Sequence, residues 1–409
     1  MSIYKLPLFK NHHTHPSVFA TLEKGLSIAD MGDKAQALKA LQGQRPLNPE
    51  APFNLVLGWN NSRYTFAPKD LDDLPPLFIC NVSFHEFILN APGRDRFGRE
   101  YPELVENLGD TDWVERNLHQ VLKFIARASG LSAADISDFY AKLAQDGTWI
   151  AEEKLLPGSP VIQLFRSAQC HDRTLLWADL EGFESMSESD RDQVYGIKIF
   201  LDGAVGARTA ALSQAYKGGG YGLLLHTDSQ LMEIIQDIID FKKPVSAHAI
   251  GDRAVEQLLN ILEHLDHAQG RIPSQIRLEH CQFITADQAR RARALGMILS
   301  MQPNFSEDSI QYQDRLDPLY CKGNNPFRML IDEMGFVPGR NLVFGTDGPP
   351  HSAAHALETS LFPPLSSQTL TLEEVKAGYC LDSWEPGHVE VEIDEGGQAV
   401  VTRTFLNGK

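Results

Sequence analysis

Two histidines near the start of the chain have the spacing of a metal-binding pair. His13 and His15 are one residue apart at the end of a short apolar run. In a β-strand, residues i and i+2 point to the same face, so both imidazoles can reach one metal ion from a strand end. His-x-His alone is a weak signal, because polar residues also cluster by chance in loops.

Further residues of metal-ligand type occur at the ends of later β-rich runs. His248 and His280 each end such a run, and Asp347 ends another. Taken singly, each histidine is explained more simply as a hydrogen-bonded structural residue. Four histidines and one aspartate, all at strand ends, instead predict a metal centre, and imidazole with carboxylate suits Zn, Fe, Mn or Ni.

Lys198 is the unusual member of this set. It lies in the run 196–201, where Ile197, Ile199 and Leu201 alternate with it, so a strand would place Lys198 on the opposite face from these aliphatic side chains. In a barrel with helices outside, that face is the interior. A buried lysine near cations loses its proton readily, and a neutral amine can add carbon dioxide to form a carbamate that bridges two metals. The alternative is an exposed lysine on an edge strand.

These residues need a scaffold that brings strand ends together. Short β-rich runs, separated in several places by helical stretches, occupy residues 148–151, 174–179, 196–201, 244–248, 276–280, 297–301 and 341–347. Strands alternating with helices imply parallel βαβ units, and with the first strand there are about eight candidates, which favours a closed (β/α)8 barrel of the TIM type. The carboxyl ends of barrel strands form the catalytic face.

The flanking segments have other patterns. We expect one strand over residues 1–15, helical spacing over 18–41, and strands over 53–58 and 76–84. A helical hairpin is expected over 111–144, either as a cover for one side of the fold or as a substrate lid. Residues 388–405 alternate polar and apolar types around Gly396-Gly397, which predicts a β-hairpin. We therefore expect a barrel domain over 1–380 and a short β appendage over 381–409.

Composition excludes several classes of partner. The formal charge of −17 over 409 residues disfavours nucleic acid and anionic membranes as partners. The five cysteines are odd in number and include no CxxC pair, which indicates a reducing compartment. The chain shows no secretory signal and no run long enough to span a bilayer, so we expect a cytoplasmic protein that acts on a small molecule.

Longer strings around these residues resemble the amidohydrolase superfamily, in its amidohydrolase 3, or YtcJ-like, branch. The most specific are Asp-Gly-x-x-Gly-x-Arg-Thr-Ala at 202–210 and His-Ala-Ile-Gly-Asp-Arg-Ala at 248–254. Similar segments lie at 196–212, 277–282, 300–303, 325–330 and 344–349, with weaker matches at 57–59 and 85–90.

The resemblance implies a binuclear centre of two divalent ions, with zinc as the expected metal. His13 and His15 with Asp347 would hold the more buried ion, His248 and His280 the second, and carbamylated Lys198 would bridge them. A bridging hydroxide would attack the scissile carbonyl, and Asp347 would carry its proton to the leaving amine.

The resemblance also implies a substrate pocket. Arg208 can hold a substrate carboxylate or form a structural ion pair. His85, Asp202 and Gln302 are the other expected substrate-binding residues, although a core position is the alternative for His85.

The chain departs from relatives in three places. Asn11 stands where an acidic residue often precedes the first histidine, and His12 adds an imidazole that could shift the register of the pair. The His pair also comes so early that we expect most of the relatives' β-sandwich to be absent, which leaves the oligomeric state open, including a homo-oligomer.

The primary functional hypothesis is a metal-dependent amidohydrolase that cleaves a C–N bond of a small molecule. The first alternative is a heterocycle deaminase with a single metal. The second is a catalytically inactive barrel that serves as a scaffold. Two metal ions per chain would favour the first hypothesis, and one would favour the deaminase.

Overall fold

A computed structural model of the protein describes residues 2–43, 52–82, 84–270, 272–394, 396 and 398–407. The strands are β1 (Ser2–Pro7), β2 (Phe9–Thr14), β3 (Leu26–Ser27), β4 (Asn54–Trp59), β5 (Leu77–Asn81), β6 (Phe87–Leu89), β7 (Thr148–Glu153), β8 (Thr174–Asp179), β9 (Gly196–Phe200), β10 (Val245–Ala249), β11 (Ile276–His280), β12 (Ile298–Met301), β13 (Leu342–Phe344), β14 (Gly387–Asp394) and β15 (Ala399–Leu406).

The α-helices are α1 (Pro16–Leu22), α2 (Lys34–Gly43), α3 (Pro68–Leu71), α4 (Ala91–Phe97), α5 (Pro102–Asn107), α6 (Thr111–Ala128), α7 (Ala133–Gln145), α8 (Ser159–Ser167), α9 (Leu180–Glu184), α10 (Glu188–Arg191), α11 (Asp228–Asp240), α12 (Asp252–Gln269), α13 (Ala286–Ala294), α14 (Asp308–Gln311), α15 (Pro318–Gly323), α16 (Ala353–Leu361) and α17 (Leu372–Tyr379). Short turns of 3₁₀ or π helix occupy His171–Arg173, Pro303–Glu307, Met329–Glu333 and Ser366–Gln368.

Eight strands form the sheet that positions the candidate site, in the order β13-β12-β11-β10-β9-β8-β7-β2. All the paired neighbours in it are parallel, and α11, α12 and α13 connect β9 to β12 in succession. The two outer strands approach each other, because the Asp347 amide donates to the His13 carbonyl at 2.7 Å. The Asn11 side chain also bonds the amide and hydroxyl of Thr346, at 3.0 and 2.7 Å. The nearly closed sheet confirms the predicted (β/α)8 barrel.

The chain termini build a separate antiparallel sheet in the order β1-β14-β15. The predicted hairpin is present as β14 and β15, although Gly397 of its expected turn lies outside the described residues. The first strand differs from the prediction, since β1 pairs with β14 whereas β2 pairs with β7 in the barrel. Pro7 lacks the backbone N–H that a continuing ladder needs, which explains why one strand ends there and another begins at Phe9.

The described chain divides into two compact units, Met1–Pro16 with Ser137–Lys409, and Ser17–Ile136. The second unit has its own sheet, β3-β4-β5-β6, and a buried aromatic core that includes Phe53, Phe78 and Phe124. The helical spacing over 18–41 is interrupted by β3, which pairs with β4. Gly25 permits this pairing, because a Cβ there would lie 2.8 Å from the Leu57 side chain.

The helices predicted over 111–144 are present as α6 and α7, and a role of this segment as a lid remains a prediction. All five cysteines are free thiols. Among the helices that the structure describes, none combines the length and the apolar composition that a bilayer crossing requires.

Candidate metal centre

Three of the predicted ligands converge at the mouth of the barrel. His15 Nε2 lies 3.0 Å from Asp347 Oδ1, and His13 Nε2 lies 3.7 Å from the same oxygen. One potential ligand atom from each of the three residues falls within 4.8 Å of the others. The bond between the Asp347 amide and the His13 carbonyl holds the first and last barrel strands at this spacing.

The other two histidines adjoin this group. The ring centroids of His248 and His280 are 4.4 Å apart, and those of His13 and His280 are 4.7 Å apart. His280 is therefore the link between the two halves of the cluster. The structure brings together all five imidazole and carboxylate residues that the sequence predicted as ligands.

Unusual backbone conformations occur at the carboxyl ends of β11 and β13. His280, Cys281 and Asp347 have φ angles of 71°, 51° and 58°, in the left-handed region that non-glycine residues seldom adopt. The Cys281 amide donates to the Ala249 carbonyl at 3.0 Å, which anchors the first of these turns. Such strain is characteristic of functional sites, where the surrounding structure holds side chains in fixed directions.

Burial and neighbouring charges together give His13, His248 and Asp347 the protonation states that bind cations. It lowers the pKa of His13 to about 4 and that of His248 to about 3, and the charge of Lys198 lowers both further. Burial opposes ionisation of Asp347, but the neighbouring His13 and His15 outweigh it and hold its pKa well below the usual value. Near neutral pH, His13 and His248 are therefore neutral and Asp347 is ionised, which are the forms that bind a metal ion.

Two lysines are buried in the barrel, and they differ in their partners. Lys154 Nζ contacts Glu279 Oε1 at 2.9 Å and Glu152 Oε2 at 3.1 Å, and it lies 3.9 Å from the centroid of the Trp177 ring. Lys198 Nζ has no hydrogen-bond partner among the described residues, although its side chain is only 1% exposed. Burial lowers the pKa of Lys198 to about 8. Lys198 is therefore the amine that remains free for another ligand.

The residues present fit a divalent metal. His280 Nδ1 and Lys198 Nζ are buried polar atoms without hydrogen-bond partners in the part of the chain that the structure describes. Such atoms are costly unless they bind a ligand or an ion. With three nearby imidazoles and one carboxylate, the donor set matches the preferences of zinc and related ions.

Beside this cluster lies a layer of buried charges that the sequence patterns did not predict; the layer consists of Glu152, Lys154, Arg277 and Glu279. Glu279 Oε2 lies 2.7 Å from His13 Nδ1, and Arg277 Nη1 lies 2.8 Å from Glu152 Oε2. His12 contacts Glu152 at 3.0 Å and so lies apart from the His13–His15 pair. A signal was present in β11, where Arg277 and Glu279 alternate with apolar residues at the same period of two that singled out Lys198.

Among the residues predicted to bind substrate, Asp202 lies close to the ligand cluster. Its carboxylate accepts bonds from the amides of Ile250, Gly251 and Ala211 at 2.8 to 3.0 Å, and His248 Nε2 lies 3.5 Å away. Burial raises the pKa of Asp202 to about 7. In this position Asp202 joins the loops that follow β9 and β10.

The other three predicted substrate residues have varied surroundings. Arg208 is exposed on the loop after β9, and its φ angle is 60°. Gln302 is fully buried after β12, and its Nε2 donates to the Ser300 carbonyl at 3.2 Å. His85 lies in the Ser17–Ile136 unit and contacts Glu115 at 2.6 Å. Their roles in binding substrate remain predictions.

Comparisons with known proteins agree with this arrangement. A model of the family described as "Amidohydrolase family" matches residues 4–357. The "Putative amidohydrolase YtcJ" of Bacillus subtilis (strain 168) is 36% identical over 156 residues, which cover 37% of this chain and 28% of that protein. "Protein LONG AFTER FAR-RED 3" of Arabidopsis thaliana is 30% identical over 28% of this chain and 20% of its own length. The matches therefore span less than a third of either relative.

Two solved structures share the fold. Both are described as uncharacterized metal-dependent hydrolases, one from Pyrococcus furiosus and one from Pyrococcus horikoshii OT3, and both superpose with a TM-score of 0.68. The first is 18% identical in sequence, and the alignment covers 91% of this chain and 81% of that chain. The second is 20% identical, and the alignment covers 93% of this chain and 79% of that chain. The family match extends over most of the sequence, from the first strand through the last ligand residue, and this protein therefore belongs to the amidohydrolase family.

Proposed function

We propose that the protein is a metal-dependent hydrolase that cleaves the C–N bond of an amide in a small molecule. The observation that carries this proposal is the convergence of His13, His15, His248, His280 and Asp347 around one space at the barrel mouth. Family membership supports the same reaction class. The five free thiols support a reducing location such as the cytoplasm.

The ligand residues divide into two groups in this proposal. His13, His15 and Asp347 would hold one ion, and His248 and His280 with Lys198 would hold or bridge a second, for which zinc is the first choice and iron, manganese and nickel also fit. The bound metal would polarise the scissile carbonyl and lower the pKa of water in the site.

Asp347 is the proposed acid–base residue. Its carboxylate is ionised, and its side chain is 26% exposed, so it is accessible from the mouth of the barrel. In the reaction Asp347 accepts a proton from the attacking water and returns it to the leaving nitrogen as the C–N bond breaks. His15, at 3.0 Å, orients the carboxylate.

Lys198 is the proposed site of carbamylation. With a pKa of about 8, about a tenth of the lysine is neutral at pH 7, compared with well under a thousandth for an ordinary lysine. The neutral amine attacks carbon dioxide, forms an N–C bond and releases one proton. The product is an anion, which would suit a position beside bound metal cations. Incubation with ¹³C-bicarbonate should produce a carbamate signal in ¹³C NMR that Lys198→Ala lacks.

The function is tested by metal analysis and a substrate screen. We expect about two metal ions per chain and hydrolysis of a compound among N-acyl amino acids, formamides and cyclic amides. Removal of the metal by a chelator should abolish the activity, and added Zn²⁺ should restore it. A protein that binds no metal, or a metal-loaded protein that hydrolyses no C–N bond in this panel, would contradict the proposal.

A heterocycle deaminase is the second candidate. It is favoured by one observation, namely that among the described residues only His13, His15 and Asp347 have ligand atoms close enough to form a compact metal site. A stoichiometry of one metal per chain, together with ammonia release from a heterocyclic amine, would identify this activity.

A further inference from the structure

The ring of His13 is held from below by a buried carboxylate. Glu279 Oε2 lies 2.7 Å from His13 Nδ1, and both side chains are at most 1% exposed. Because an ionised carboxylate only accepts hydrogen bonds, Nδ1 must carry the proton. Nε2 then has its lone pair free and faces Asp347 Oδ1, 3.7 Å away. The contact therefore selects both the tautomer and the direction in which His13 can bind a metal.

The carboxylate of Glu279 is fixed through its second oxygen. Oε1 accepts a bond from Lys154 Nζ at 2.9 Å and another from Ser246 Oγ at 2.6 Å. These partners come from the carboxyl end of β7 and from β10, whereas His13 is on β2. Together with β11, which carries Glu279, these two strands determine the orientation of the His13 ring.

Each anion of the layer has a buried cationic partner outside the ligand cluster. Glu152 and Glu279 are its two anions, and Lys154 and Arg277 are its two cations, and all four are buried. Because Lys154 and Ser246 already satisfy Oε1, the negative charge of Glu279 does not need a metal ion to compensate it. Glu279 can therefore act on the site through the ring of His13.

We propose that Glu279, held by Lys154 and Ser246, is a positioning residue that fixes His13 in the Nε2-binding tautomer and thereby sets the metal affinity of the centre. The inference rests on the proposed function in that it requires a metal to bind at the cluster. It assigns a role to a residue that touches neither substrate nor metal.

The test compares two isosteric substitutions in the same layer. Glu279→Gln replaces the carboxylate at His13 Nδ1 by a neutral amide that can donate as well as accept and so no longer fixes the tautomer. Glu152→Gln removes an equal charge but contacts none of the five proposed imidazole and carboxylate ligands. The affinity for Zn²⁺ is measured by competition with a chromophoric chelator, and the visible spectrum of the Co²⁺-loaded protein reports the ligand field.

We expect Glu279→Gln to weaken Zn²⁺ binding by about 10- to 100-fold and to alter the Co²⁺ spectrum. Glu152→Gln should stay within about threefold of the wild type with an unchanged spectrum, because it has no contact with a proposed ligand. Equal losses in the two variants, or an unaffected Glu279→Gln, would overturn the positioning role. A wild-type protein without Zn²⁺ affinity would instead refute the proposed function.

A milder variant covers the case in which Glu279→Gln does not fold. Ser246→Ala removes one hydrogen bond from Glu279 and leaves its charge and its contact with Lys154 in place. We expect a loss of Zn²⁺ affinity of about three- to tenfold, with circular dichroism of the metal-free protein unchanged. Full Zn²⁺ affinity in this variant would count against the role of Glu279.

Discussion

Substitution of the two buried lysines should change stability in opposite directions. In Lys198→Met the side chain keeps its length and apolar stem but loses a buried charge that has no hydrogen-bond partner among the described residues. We therefore expect the metal-free variant to be more stable than the metal-free wild type. Lys154→Met removes the shared partner of Glu152 and Glu279, and we expect it to destabilise the protein by about 3–5 kcal/mol.

The magnitude for Lys198 follows from its pKa, which burial lowers from an ordinary value of 10.5 to about 8. Below pH 8 the lysine is charged in both the folded and the unfolded chain, so the folded state carries the full cost. Between pH 8 and 10.5 the folded chain releases its proton first, and the cost declines. The linkage relation gives about 3 kcal/mol at pH 7, about 2 kcal/mol at pH 9 and less than about 0.5 kcal/mol at pH 10.5.

Urea unfolding of the chelator-treated wild type and of both variants at these three pH values measures the effect. Lys198→Met should unfold at a higher urea concentration than the wild type at pH 7, and the difference should narrow as pH rises. A Lys198→Met variant that is destabilised like Lys154→Met would refute the reasoning, because Lys198 would then have stabilising partners in the metal-free protein. Lys198→Met should also lose metal and activity. The wild type would then keep this amine for its function although the amine lowers the stability of the metal-free protein.

Three further outcomes are expected. Asp347→Asn should lower kcat at least about 100-fold while circular dichroism stays unchanged, and a variant with full turnover would contradict the acid–base role. Burial lowers the pKa of His12 and His13 from 6.5 to about 4, so between pH 6.5 and 5 mainly the unfolded chain takes up these protons. In urea unfolding, the metal-free protein should therefore lose about 2 kcal/mol of stability per histidine between pH 7 and pH 5. An unchanged stability would count against the burial of these two histidines as neutral rings. Gly196→Ala should lower the stability measured by thermal unfolding by about 1–3 kcal/mol, because its Cβ would lie 2.3 Å from the indole ring of Trp177. Gly109→Ala should leave stability nearly unchanged, because a Cβ there would meet no atom within 4 Å. Equal effects of the two substitutions would show that the barrel accommodates the methyl group.

The barrel and the cluster at its mouth were predictable because both depend on local periodicity. Each of His13, His248 and His280 lies at or next to the carboxyl end of a short β-rich run, and parallel strands bring those ends to one face. The alternation around Lys198 likewise indicated an interior side chain, and that lysine is buried in the structure. These inferences needed only the strand period and the rule that βαβ units are parallel.

The small terminal sheet and the charged layer could not be predicted in this way. The pairing of β1 with β14 joins residues nearly 400 positions apart, and no local pattern specifies that partner. Glu152 and Glu279 would be expected on the surface, since charged side chains are seldom buried without partners. Their partners come from β2, β7, β10 and β11, which are brought together only when the sheet curves towards closure.

The amino-acid sequence by itself determined the family, the strand ends that carry metal-ligand residues and the face on which Lys198 lies, because these depend on residue types and on spacings of two. Only the tertiary structure decided which partners each buried group has. Within the described part of the chain it left Lys198 without a hydrogen bond, placed Lys154 between two carboxylates and set Glu279 against His13. The physical reason is that hydrogen bonding and charge compensation act over about 3 Å between strands that are distant in the chain, so they exist only after the sheet has formed.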